Sequence, residues 1–138
     1  DFFRNPNNLH LTSLSTTNAV VPLENLGILR QLSDSHIFSD CISVLHTPGH
    51  TPGHLCILIT SQNQKALILG DAAHHPIQVE ETDWCSSVDL DPDRTRHTRK
   101  LLMERIEHED ILLIAGHFPA PGFGRIVRAN GRRTWIPL

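Results

Sequence analysis

Three short runs of this sequence end in side chains that bind metal ions: Pro48-Gly49-His50, Leu69-Gly70-Asp71 and Ala115-Gly116-His117. Imidazole and carboxylate are donors that suit zinc, at roughly 2.0–2.2 Å. A carboxylate can bridge two cations, whereas an imidazole that ligates through one nitrogen keeps the other for a hydrogen-bond partner. Each candidate follows an apolar run and adjoins a glycine, so each sits where a buried strand gives way to a loop. Strands of one sheet that end at the same edge would deliver His50, Asp71 and His117 to a common cleft. Gly49, Gly70 and Gly116 are expected to let the backbone turn sharply beside them. Taken singly, Pro-Gly-His is an ordinary loop and Gly-Asp an ordinary turn. Together, in the same setting, the three point to one metal-binding cleft.

The elements that must position them follow from periodicity and turn chemistry. Thr16–Leu32 spaces its apolar residues at helical intervals, with Pro22 near the first turn. A strand is expected over about Cys41–His46, and the two Pro-Gly pairs of residues 47–54 make a loop. The apolar runs Leu55–Thr60 and Ala66–Leu69 read as a hairpin joined by Ser61-Gln62-Asn63-Gln64. Asp91-Pro92 has the form of an N-cap followed by proline at the first helical position, with Asp93 on the positive end of the dipole. The helix should run to about His108 and bury Leu101, Leu102 and Ile106. Ile111–Ala115 reads as a short buried strand, Phe118–Gly124 as a loop, and Asn130-Gly131 as the type I′ turn of a final hairpin.

Composition narrows the function. The 138 residues carry 12 Lys and Arg against 15 Asp and Glu, for a net charge of −3. The only basic cluster, Arg94–Lys100, lies on the expected helix, so nucleic acid is not an expected partner. No apolar run approaches the ~20 residues that span a bilayer, so no membrane partner is expected. The opening Asp1-Phe2-Phe3-Arg4 is not a signal peptide and starts abruptly, as if cut from a longer chain. Cys41, Cys56 and Cys85 have no paired spacing and read as buried reduced thiols of a cytoplasmic protein. Tyrosine is absent, which removes it as an acid or oxyanion donor, while histidine reaches ten.

The run His46-Thr47-Pro48-Gly49-His50-Thr51-Pro52-Gly53-His54, then Leu69-Gly70-Asp71, then Ala115-Gly116-His117-Phe118-Pro119 resembles the later motifs of the metallo-β-lactamase superfamily. The resemblance covers most of the chain. Gly70-Asp71-Ala72-Ala73-His74-His75-Pro76 and the loop after Gly116 are most similar to the branch of N-acyl homoserine lactonases and small-molecule esterases. Glyoxalase-II-like thioesterases and mononuclear-iron persulfide dioxygenases are neighbouring classes. The resemblance implies an α/β (α+β) fold that is half of an αββα sandwich, a mixed sheet with helices on one face. It implies a dinuclear zinc site in which His50 ligates the first metal, Asp71 bridges both and His117 ligates the second. The metal pair would lower the pKa of a water toward ~7 for attack on a lactone or ester carbonyl. Asp71 and His74 are the implied catalytic residues. His74 stands where that branch often has a tyrosine, and an imidazole there could polarise the carbonyl or protonate the leaving alkoxide. His54 is implied to be structural.

The superfamily's first motif, His-x-His-x-Asp-His, supplies the remaining ligands. It is not among these 138 residues: no two histidines are spaced by one residue, and no aspartate precedes a histidine. The trio leaves each metal about two protein ligands, where catalytic zinc normally has three and a water. Residues 1–138 are therefore expected to form a single partial domain, the carboxyl-terminal half of the fold, binding zinc weakly and inactive alone. Half a sandwich exposes an apolar sheet face, to be covered by the missing half or by a second copy in a two-fold homodimer. The alternative to a hydrolase is a non-catalytic truncated module used for binding or dimeric assembly.

Overall fold

The computed structural model describes residues 20–32 and 35–138. The chain divides into two compact units, residues 1–33 and 34–138. In the first unit, helix α1 spans Val21–Asn25, with Pro22 at its start and no buried residue. It closes through Leu26 N–H to Pro22 O at 3.1 Å and Ile28 N–H to Leu23 O at 3.1 Å. Gly27 follows at a φ of 67°. Within the described residues the helix expected over Thr16–Leu32 ends early, because a left-handed glycine stops it at Asn25. Residues 28–32 are not helical, and residues 16–19 lie outside the described residues.

The second unit is a seven-stranded sheet. Its strands are β1 (His36–Ile37), β2 (Ile42–His46), β3 (Leu55–Ser61), β4 (Gln64–Ile68), β5 (Leu112–Ile114), β6 (Phe123–Ala129) and β7 (Arg132–Pro137), side by side in sequence order. Every neighbouring pair is antiparallel except β4 and β5, which are parallel. A parallel pair cannot be closed by a tight turn. Between β4 and β5 the chain crosses over through 3₁₀ turns at Gly70–Ala72 and Pro76–Val79 and the long helix α2, Pro92–His108. The tight turns are chemically determined. Gln62 and Asn63 have φ of 47° and 62°, and Asn130 and Gly131 have 53° and 79°, the paired left-handed values of type I′ hairpins.

Helix α2 begins as its sequence dictates, with Asp91 Oδ1 accepting from Arg94 N–H at 3.0 Å and Pro92 in the first turn. Its buried stripe is Thr95, Arg99, Leu102, Met103 and Ile106, the i, i+3, i+4 spacing of one helical face. Leu101 was expected in that stripe but is 53 % exposed, because the stripe passes through 99, 102 and 103 and leaves 101 on the far side. Leu102, Met103 and Ile106 belong to one core with Cys56, Leu58, Leu67, Leu113, Ile126 and Trp135 of the sheet. Among the cysteines only Cys56 is buried; Cys41 is exposed and Cys85 intermediate. The expectation fails for Cys41 because it sits in the turn before β2, which begins at Ile42.

The opposite sheet face is also apolar. Ile57, Ile68, Ile114 and Phe123 form one cross-strand row, and Ile59, Ala66 and Leu112 form another. None of these seven is buried; Ile57 is 37 % and Phe123 40 % exposed. Among the described residues no helix is long and apolar enough to cross a membrane.

Glu107 ties α2 to the last hairpin. It accepts from Arg128 Nε at 2.6 Å and Nη2 at 2.8 Å, and from Arg133 Nε at 2.8 Å. The Arg128 and Arg133 hydrogen bonds hold its carboxyl down to about 2. A carboxylate depressed by folding stabilises above its unfolded pKa, and that contribution is lost as pH falls toward the folded value. Glu107→Gln is therefore expected to lower the thermal midpoint by about 2–4 °C at pH 7. The gap between variant and parent should close as pH falls from about 4.3 toward 2 in circular-dichroism melts.

Candidate metal centre

Strands β2, β4 and β5 run in the same direction, because β2 and β4 are each antiparallel to β3 and β4 is parallel to β5. Their carboxyl ends therefore share one sheet edge. His50, Asp71 and His117 lie in the loops just past those ends, and the structure brings them together. Asp71 sits between two imidazoles: its Oδ1 is 2.8 Å from His117 Nε2 and its Oδ2 is 3.6 Å from His50 Nε2. The His74 ring lies beside both, with centroids 5.1 Å from His50 and 5.0 Å from His117. Ligand atoms of Asp71, His74 and His117 all lie within 4.8 Å of one another, as do those of His50, His74 and Asp89.

Local sequence explains these placements. Gly70 turns at a φ of 57°, and a Cβ there would stand 2.7 Å from His54 Nε2. Gly49 has a φ of 143°, and its Cβ would stand 2.5 Å from Thr95 Cα in the first turn of α2. Gly116 differs from the expectation. Its φ is not left-handed and nothing lies within 4 Å of an added Cβ, so the turn into His117 does not require glycine. Beyond Asp71, the backbone N–H groups of His74 and His75 both donate to Gln78 Oε1, at 2.6 and 3.1 Å. The side chains then diverge. His75 is exposed and accepts from Ile77 N–H at 3.2 Å, whereas His74 Nδ1 is buried without a hydrogen-bond partner among the described residues.

His54 is placed differently. Its Nε2 accepts from Asp71 N–H at 2.9 Å, and its Nδ1 lies 3.1 Å from the Thr47 carbonyl oxygen. A carbonyl only accepts, so Nδ1 carries the proton. Both ring nitrogens are engaged within the chain, and His54 supports the Asp71 turn from beneath.

The electrostatics follow from burial and proximity. Burial, then repulsion from the His50 imidazole, push His74 below the ordinary histidine range, so it is neutral at pH 7. Partial burial pushes the Asp71 carboxyl up, but the His117 hydrogen bond and the surrounding imidazoles outweigh it and hold the carboxyl below its usual value. A carboxylate flanked by imidazole nitrogens, beside a buried ring nitrogen that no described residue satisfies, is a donor set that fits zinc.

One buried partner of the site carries no motif of its own in the sequence. The fully buried Asp89 side chain places Oδ1 3.0 Å from His50 Nδ1. The only signal for it is its position just before the Asp91-Pro92 cap, which fixes where that loop must end.

The family model of the metallo-beta-lactamase superfamily matches residues 18–117. No curated protein matches the sequence. Among solved structures, hydrolase AbOPH of the beta lactamase superfamily is 24 % identical with a TM-score of 0.78, over 98 % of this chain and 48 % of that one. AidC, a dizinc quorum-quenching lactonase in complex with an N-acyl-L-homoserine product, is 24 % identical with a TM-score of 0.73, over 94 % and 46 %. An N-acyl homoserine lactone hydrolase with N-hexanoyl-L-homoserine bound at its catalytic metal centre is 23 % identical with a TM-score of 0.56, over 64 % and 35 %. At these identities the likeness is one of fold. The chain spans about half the length of the first two structures.

The two ligand-adjacent glycines give opposite expectations. Gly70→Ala forces a side chain into a left-handed turn and against His54, and should destabilise by about 1–3 kcal/mol. Gly116→Ala meets neither obstacle and should leave the thermal midpoint nearly unchanged. Paired denaturation curves check both; equal losses would contradict the described turn geometry.

Proposed function

This chain belongs to the metallo-β-lactamase superfamily, and on that basis we propose that it contributes one half of a dinuclear zinc hydrolase site acting on a lactone or ester. The observation that carries the reading is Asp71, each of whose oxygens faces a different imidazole nitrogen. That is the disposition needed by a carboxylate that bridges two cations, with His50 on one and His117 on the other. Zinc held there would supply Lewis acidity to a carbonyl and ease deprotonation of a water. His74, neutral and beside both histidines, is the residue to polarise the carbonyl or return a proton to the leaving alkoxide. The lactonase and lactone hydrolase among the structural relatives favour a small lactone or ester substrate.

His50, Asp71 and His117 fall short of the three protein donors that each catalytic zinc takes. On this reading we infer that the remaining donors come from outside the trio and that the 138 residues by themselves do not turn over. A second reading, a non-catalytic binding or assembly module, is favoured by one observation: no His-x-His-x-Asp-His occurs in the 138 residues. Zinc titration by calorimetry separates the two. Micromolar or tighter binding that is lost in Asp71→Ala supports the hydrolase site, and absence of binding by the parent chain supports the module.

The apolar face built on Ile57, Ile68, Ile114 and Phe123 bears on assembly. For the 138-residue chain by itself, we infer that a second copy covers it, sheet against sheet. Light scattering at micromolar concentration is expected to give a dimer; a stable monomer contradicts this.

A further inference from the structure

The described site leaves unexplained a buried cation and a buried carboxylate behind His50. Arg99, in the middle of α2, has no solvent exposure. Its Nε donates to Ala72 O at 2.7 Å, and its Nη1 donates to Thr82 O at 3.1 Å and Trp84 O at 2.5 Å. Its Nη2 stands 3.7 Å from Asp89 Oδ2, and neither side chain is exposed. Asp89 Oδ2 also accepts from Ser86 N–H at 2.8 Å, while Oδ1 meets His50 Nδ1 at 3.0 Å. The backbone runs alongside: Leu90 N–H donates to His50 O at 3.1 Å and Asp91 N–H to Gly49 O at 3.0 Å.

We propose that Asp89 and Arg99 are positioning residues for the metal centre: Asp89 holds His50 with its proton on Nδ1 and Nε2 free toward Asp71, and Arg99 fastens Asp89 and the Asp71 loop to α2. The proposal rests on the reading of His50 as a ligand through Nε2. A carboxylate only accepts, so the nitrogen 3.0 Å from Asp89 must be the donor; in the neutral ring the lone pair is then left on Nε2, which at 3.6 Å from Asp71 Oδ2 makes no hydrogen bond to it. Carboxylate behind a ligating histidine is a recurrent way to fix the ring and raise its basicity. Asp89 is not itself a ligand. It approaches His50 on the side away from Asp71, both its oxygens already face donors, and its side chain has no exposed surface. Arg99 reaches both ligand loops at once, through Ala72 next to Asp71 and through Asp89 next to His50.

The test uses Asp89→Asn, which keeps shape but has one acceptor where the carboxylate has two. Its amide oxygen is drawn to the Ser86 N–H and the Arg99 guanidinium, which can only donate. Its amide nitrogen then faces His50 Nδ1 and forces the opposite tautomer, with the proton on Nε2. Long-range ¹H–¹⁵N spectra of the metal-free chain read this directly. The parent is expected to show His50 protonated on Nδ1, and Asp89→Asn to show it protonated on Nε2 with His54 unchanged as an internal reference. Zinc affinity should fall about 10–100-fold in Asp89→Asn. Arg99→Lys keeps a cation but loses the fork that binds the loop carbonyls, and should weaken zinc by a smaller factor while the His50 tautomer holds. A parent His50 protonated on Nε2, or an Asp89→Asn tautomer that does not invert, overturns the proposal whether or not zinc binds. The expected tautomers with unmoved zinc affinity overturn the positioning role. Unchanged affinity in Arg99→Lys removes Arg99 from it. Absence of zinc binding in the parent overturns the underlying metal reading instead.

Discussion

A guanidinium without solvent contact dictates how the long crossover is laid down. Arg99 lies in the buried stripe of α2, where an unpaired charge would be strongly unfavourable. Its planar fork is met by the carbonyl groups of Ala72, Thr82 and Trp84 and by the Asp89 carboxylate. Those four groups span most of the connection from β4 to α2, so the connection must wrap around one side chain. An arginine suits this place because its donors are fixed in a plane and point in several directions at once. Lysine offers a point charge on a flexible stem and could not hold three separate carbonyl groups in the same way.

The topology supplies the other half of the arrangement. The parallel pairing of β4 and β5 places the ends of two apolar strands side by side, and antiparallel β3 returns the chain so that β2 ends at the same edge. A sheet buried on one face by α2 gives those strands a rigid base, and loops then carry the chemistry. The doubled Pro-Gly-His divides its labour accordingly. His50 faces Asp71 from the side, and His54 receives the Asp71 N–H from below. Two identical side chains four residues apart thus take different roles, one at the cleft and one in the frame.

Much of this was legible in the residues themselves. Strands β2 to β7, the type I′ turn at Asn130-Gly131 and the Asp91-Pro92 helix start follow from local rules that tertiary structure does not override here, whereas the two-residue β1 is too short to leave a pattern. The convergence of His50, Asp71 and His117 followed from strand ends and glycines, whereas His74 was reached only through the family resemblance. Other features were hidden for physical reasons. Arg99 belongs to an apolar stripe while being charged, so a count of apolar residues chooses Leu101 in its place and reads Arg94–Lys100 as a surface patch. Asp89 looks like any loop aspartate until the fold brings His50 to it across the sequence. Helix α1 has apolar spacing that continues past Gly27, but a left-handed residue interrupts the backbone and the pattern cannot be used. Gly116 shows the reverse: a glycine beside a ligand that ordinary backbone would have served.

The parallel pair also imposes an order in time. The hairpins β2–β3, β3–β4 and β6–β7 join neighbours in sequence, and such local closures are fast. Ala66 must find Leu112 across the entire intervening crossover, and the loss of chain entropy has to be met before that contact stabilises anything. Asp71 and His117 lie just beyond these two strands. They meet only once that parallel pair has formed, so a chain in which it is open can bring the His50 and Asp71 loops to one edge but lacks His117. The full set of donors thus reports on closure of the β4–β5 pair.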